Sequence, residues 1–147
     1  MSIKPLTHWK CDSCDELVTK ETGWLEWIEE DDIRNSKAKE FHIVHNKKEC
    51  FHHSNHPGRK DNHLGECLGY NGLQYLLEIA HNGGAGKHSI HDASEYVELI
   101  RRLHVPYYEE ARMNFVPYAQ EYGLDAERLR LSGIKTLEEI AKYAGDQ

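Results

Sequence analysis

Two thiols three residues apart, Cys11 and Cys14 in the run Cys11-Asp12-Ser13-Cys14, are the side chains here best suited to chemistry. A Cys-x-x-Cys turn presents two sulfurs to one point, and a structural Zn²⁺ takes four such ligands in a tetrahedron, usually thiolates and imidazoles. The other two ligands must come from a later segment. His45 and Cys50 stand where a hairpin would return the chain, so the expected site is Cys11, Cys14, His45 and Cys50, a Cys₃His quartet holding zinc. His52, His53, His56, His63 and Cys67 lie close enough in sequence to replace His45 or Cys50. A redox reading of the pair requires a strand before it and a helix after it, whereas the residues that follow read as strand.

Other groups invite chemistry and have plainer explanations. Six of the eleven histidines fall between His42 and His63, which suggests a metal-dependent hydrolase, but no His-Glu-x-x-His pair accompanies them. Gly83 to Ser89 superficially resembles a phosphate-binding loop, yet it follows a helical pattern and lacks the required spacing. Leu131 to Thr136 has the look of a helix-hairpin-helix turn without its second glycine, and a plain capped helix fits better. Trp9, Trp24 and Trp27 could stack nucleic-acid bases, although at least one is expected in the core of a small ribbon. The tyrosines at 107–108 and 118–122 read as helix-packing residues.

The elements that must position the quartet follow from pattern. Trp24 to Ile28 alternates as a strand, with 24, 26 and 28 on one face and Leu25 and Trp27 on the other, and Phe41 to His45 does the same, giving a hairpin joined by a charged connection from Glu29 to Lys39. Asn46 to Gly72 lacks periodicity and reads as a long irregular loop contributing to the metal site. Helical spacing begins at Leu73, with Leu76, Leu77 and Ala80 on one face and Gly83-Gly84 as the stop. Asp92 and Glu95 form a capping box for a helix burying Tyr96, Leu99, Ile100 and Leu103. Tyr107 to Val116 is expected to be helical up to a break at Pro117. Thr136 and Glu139 cap a last helix that Gly145 ends.

The residues His8 to Cys14, Gly23 to Trp27 and Phe41 to His45, with Leu99 to Arg112 further on, resemble a group of short uncharacterised bacterial or phage proteins with an N-terminal zinc ribbon. The resemblance implies a zinc-bound ribbon with helices behind it and brings no activity with it.

The whole chain sets the remaining limits. It has 147 residues and a net charge of −7, with 18 Lys/Arg against 25 Asp/Glu, and neither half is a polycation. Such a chain is a poor general ligand for nucleic acid, so a protein partner is the first expectation and nucleic acid the second. No stretch has the ~20 apolar residues of a membrane span, and the start carries no apolar secretory core, so a cytoplasmic protein with no membrane partner is expected. The predicted architecture is α+β: residues 1–70 as a zinc-stapled β-ribbon with a histidine-rich loop, and residues 71–147 as a small bundle of short helices packed on it. The expected function is that of a non-enzymatic zinc-binding adaptor or regulator, with a nucleic-acid-binding ribbon and a metal-dependent nuclease or hydrolase as alternatives.

Overall fold

The computed structural model describes residues 3–31, 36–81 and 88–144. It is an α+β protein in two compact units: residues 8–104, and residues 105–144 together with the segment before residue 8. The expected boundary at residue 70 lies inside the first unit, because the next two helices pack on its sheet. No helix among the described residues is long and apolar enough to cross a membrane.

The first unit opens with a two-residue ladder, β1 (Trp9–Lys10) against β2 (Leu17–Val18). The main sheet follows. β3 (Gly23–Asp31) and β4 (Ser36–His45) form the expected antiparallel hairpin, with Gly23 opposite His45 and Leu25 opposite Ile43. Both strands run further than their apolar residues suggest, since Glu29, Glu30 and Asp31 pair with Ala38, Lys37 and Ser36. A Lys39–Glu30 ion pair at 3.0 Å shows why charged residues continue the ladder: opposite signs sit on neighbouring strands. A bulge between Glu26 and Ile28 resets the register, and Glu26, Trp27 and Ile28 are all buried. Both faces of β3 are therefore covered.

The region from Asn46 to Gly72 is largely ordered, in place of the long loop expected. It holds a 3-10 turn (Lys48–Cys50), strand β5 (Arg59–His63), and a second 3-10 turn (Leu64–Cys67). β5 pairs antiparallel with β3 on the side away from β4. Its sequence, RKDNH, has no apolar alternation because it is an edge strand held by backbone pairing. Helix α1 (Gly69–His81) buries Leu76 but leaves Leu77 half exposed. The glycine run expected to stop it, and the resemblance to a phosphate loop at 83–87, lie outside the described residues. β6 (His88–Ile90) adds to β4 in parallel, completing the order β5-β3-β4-β6.

Helix α2 (Ala93–His104) begins as expected, with Asp92 Oδ1 accepting from Ser94 N–H at 2.9 Å. The second half of the capping box is absent: Glu95 instead accepts the backbone N–H of Phe41 at 3.2 Å, tying α2 to β4. Tyr96, Leu99 and Leu103 are buried. Tyr96 packs edge-on against Phe41, which stacks on Trp27, so the aromatic core runs from helix to sheet. Trp9 and Trp27 are core residues.

In the second unit, α3 (Tyr108–Arg112) and α4 (Phe115–Tyr122) are separated at Met113–Asn114 rather than at Pro117. Pro117 falls in the first turn of α4, where its missing N–H costs no intrahelical bond. Gly123, at φ 67°, closes α4 in the left-handed conformation that favours glycine. A 3-10 segment (Ala126–Leu131) and α5 (Ile134–Ala141) follow. Thr136 is already inside α5, whose N-cap is Gly133 without a side-chain bond. The capping box expected at Thr136 and Glu139 is thus not used, and Gly145 lies outside the described residues. The core joins Tyr108, Ala111, Phe115, Ala119, Leu129, Leu137 and Ile140. Asn114 Nδ2 donates to the carbonyls of Ile140, Ala141 and Tyr143, satisfying the end of α5.

Candidate metal centre

Cys11 and Cys14 lie in the turn between β1 and β2, His45 is the last residue of β4, and Cys50 ends the 3-10 turn beyond it. The turn is held to the strand by backbone pairing: Asp12 N–H donates to Ile43 O at 2.8 Å, and Ile43 N–H returns a bond to Asp12 Oδ2 at 2.8 Å. Ser13 Oγ donates to Cys50 O, joining the turn to the far ligand segment. These bonds bring one ligand atom each from Cys11, Cys14, His45 and Cys50 within 4.8 Å of one another. Among the described residues, this is the group of cysteine, histidine and acidic side chains that could hold a metal ion.

The donor set fits a tetrahedral ion. Zn–S near 2.3 Å and Zn–N near 2.0 Å imply donor-to-donor edges of about 3.5–3.8 Å. Cys14 Sγ is 3.2 Å from His45 Nδ1, and Cys50 Sγ is 3.9 Å from the same nitrogen, so these edges bracket that spacing. Cys11, His45 and Cys50 are buried while Cys14 is exposed.

Electrostatics prepare one sulfur more than another. Burial raises the Cys11 pKa, but the backbone N–H groups of Cys14, Ser13 and His45, with the His45 side chain, outweigh it and bring the thiol down to about 7. The Cys50 thiol is pushed up to about 11 by burial and by the neighbouring Cys11 and Cys14 sulfurs. A cation held by these residues would offset that penalty by compensating the clustered sulfur charge, with the Cys50 thiol proton passing to solvent.

The alternative ligands are engaged elsewhere. His53 Nε2 lies 3.0 Å from Glu40 O. His56 accepts Gly58 N–H on Nδ1 and places Nε2 3.3 Å from Glu30. His63 packs on Trp24 with ring centroids 4.8 Å apart, and His52 stacks on His42 at 3.7 Å. Cys67 is fully buried, with its Sγ 3.7 Å from His63 O.

Two residues that sequence reasoning did not single out support the quartet. Glu26 is fully buried, and its carboxylate accepts from His52 N–H at 2.8 Å, His53 N–H at 3.2 Å and Arg59 Nε at 2.8 Å. It thereby fixes the segment that begins just after Cys50. Burial would raise its pKa, but those three donors hold the carboxyl below its ordinary value. Arg102, also buried, reaches Asp12 from α2 with Nη1 at 3.0 and 3.1 Å from the two carboxylate oxygens. An acid inside an apolar strand was a usable signal for Glu26; nothing local marked Arg102. No protein-family model, curated protein or solved structure matches the chain.

Proposed function

We propose that the chain is a non-enzymatic adaptor or regulator whose first unit is stapled by one structural Zn²⁺ on Cys11, Cys14, His45 and Cys50, and which acts through contacts with another protein. The convergence of those four donors within 4.8 Å carries the reading. A Cys₃His set supplies all four positions of a tetrahedral ion, which is the pattern of a structural site rather than of a catalytic one that reserves a position for water. The need for a staple follows from size: the β1–β2 ladder has only two residues per strand, well below what holds itself together in water. A protein partner fits the acid excess of the chain better than a polyanion does.

Metal analysis of the purified chain, with X-ray absorption at the zinc edge, tests the site: the expected result is one zinc per chain with three sulfur and one nitrogen neighbours. A water oxygen in the inner sphere would favour the hydrolase reading, and salt-dependent retention on DNA or RNA would favour the nucleic-acid-binding one.

A further inference from the structure

We infer that the metal site is also an oxidant-sensitive release switch: hydrogen peroxide oxidises the exposed Cys14, Cys11 closes a disulfide on it, and the ion, left with two protein ligands, departs. The inference rests on the zinc reading of the quartet and adds to it a means of regulation.

The four thiols of the chain differ in what can reach them. Cys11, Cys50 and Cys67 are buried, at 0%, 5% and 0% exposure, whereas Cys14 is exposed. It stands in a run, Ser13 to Leu17, whose residues are all exposed. A sulfur shielded by packing is inert, and one open to solvent is the sulfur an oxidant meets. The local turn selects its partner. Asp15 N–H donates to Cys11 O at 3.1 Å, closing one turn over the pair. Residues three apart in such a turn have Cα atoms about 5–6 Å apart, inside the ~4.4–6.8 Å that a disulfide spans. The Cys50 sulfur lies within the same 4.8 Å but on a separate 3-10 turn, so closing on it shifts two segments rather than the side chains of one. The pair acts here as a sensor, not as the turning-over dithiol of an oxidoreductase.

The Cys14 thiolate attacks one peroxide oxygen, the O–O bond breaks, and hydroxide leaves with the sulfur as a sulfenic acid. The Cys11 thiolate then displaces hydroxide from that sulfur, forming the S–S bond. Two thiolates have lost two electrons to one peroxide, and two solvent protons turn the two hydroxides into water. His45 and Cys50 remain as donors, half of a tetrahedral set. Anchors independent of the ion keep the turn beside β4: Asp12 N–H to Ile43 O and Cys11 N–H to Glu16 O, both at 2.8 Å, and Trp9 Nε1 to Arg102 O at 2.8 Å. Reduction by a dithiol with zinc present therefore restores the site.

Hydrogen peroxide added to the zinc-loaded full chain, with released zinc read by a chromogenic chelator, tests the switch. The expected result is release of the bound zinc together with a tryptic peptide Cys11–Lys20 that is lighter by two hydrogens and resists alkylation. Dithiothreitol with added zinc should reverse both changes. Cys14→His, which keeps a fourth donor but no exposed sulfur, should release zinc about tenfold or more slowly than wild type. Should that variant fail to take up zinc, wild type still decides: a brief pulse of peroxide followed by dimedone, which traps sulfenic acids, should label Cys14 ahead of Cys11 and Cys50. A zinc-loaded chain that keeps its metal through oxidation overturns the switch alone. So does a disulfide drawn to Cys50 or Cys67, a loss the dithiol does not reverse, first labelling at a buried thiol, or equally fast release from Cys14→His. A chain that takes up no stoichiometric zinc overturns the switch and the zinc reading together.

Discussion

Replacing Glu26 by alanine should cost the protein about 3–4 kcal/mol. The figure follows from the three donors left behind. Arg59 loses the more buried of its two carboxylates; because it keeps its ion pair with Asp61, its share falls below the ~3–5 kcal/mol of a fully orphaned buried charge, at about 2 kcal/mol. The N–H of His53, a buried residue, loses its acceptor for about 1–2 kcal/mol, and that of His52, an exposed residue, loses less because water can replace it. Urea unfolding of the zinc-loaded protein, followed by the fluorescence of buried Trp27, measures the loss. Replacing both partners, Glu26→Leu with Arg59→Met, should recover part of it, since removing a pair costs less than stranding one member. Because the carboxylate fixes the segment after Cys50, Glu26→Ala should also lose zinc to a chelator faster than wild type. A loss under about 1 kcal/mol, the range of exposed ion pairs, would refute the reasoning.

Cys11→Ser and His45→Ala should abolish stoichiometric zinc in metal analysis, whereas Cys67→Ser should retain it, because Cys67 is buried away from the quartet. Burial, followed by the charge of His52, lowers the pKa of His42 in the folded protein to about 4 from an ordinary 6.5. The unfolded chain therefore binds that proton first, so stability is flat above pH 6.5 and declines as pH falls toward 4. The full shift corresponds to about 3 kcal/mol, reduced by partial exposure to about 1–2 kcal/mol; His42→Asn, compared with wild type with zinc on both, should flatten that slope in denaturant titrations at pH 7 and 5. Gly72→Ala would ordinarily steady a helix by about 1 kcal/mol. Here the new Cβ falls on the backbone carbonyl of Cys67, and a loss of about 2–3 kcal/mol in thermal or urea unfolding is expected instead.

The convergence of Cys11, Cys14, His45 and Cys50 was legible because its logic is local: a Cys-x-x-Cys turn and a hairpin return need only spacing and strand alternation, and Phe41 to His45 shows both. β5 was hidden because RKDNH carries no apolar alternation, and its pairing with β3 is a backbone matter. Glu95 shows a local rule overridden by packing, since a carboxylate placed to close its own helix cap turns instead to Phe41 N–H. The division at residue 104 was illegible for a similar reason. α1 and α2 have ordinary amphipathic patterns, and only Tyr96 meeting Phe41, with its hydroxyl donating to Leu76 O, shows that they belong to the sheet.

The bond from the Trp9 indole to Arg102 spans 93 residues, and that separation sets an order of events during synthesis. At about 5–20 residues per second, the ribosome finishes Cys50 roughly 3–10 s before it reaches Arg102, which carries the acceptor for Trp9. The four metal donors emerge together well ahead of the helix that covers their turn. On the proposed zinc reading, a nascent chain would therefore load its ion first and be sealed later.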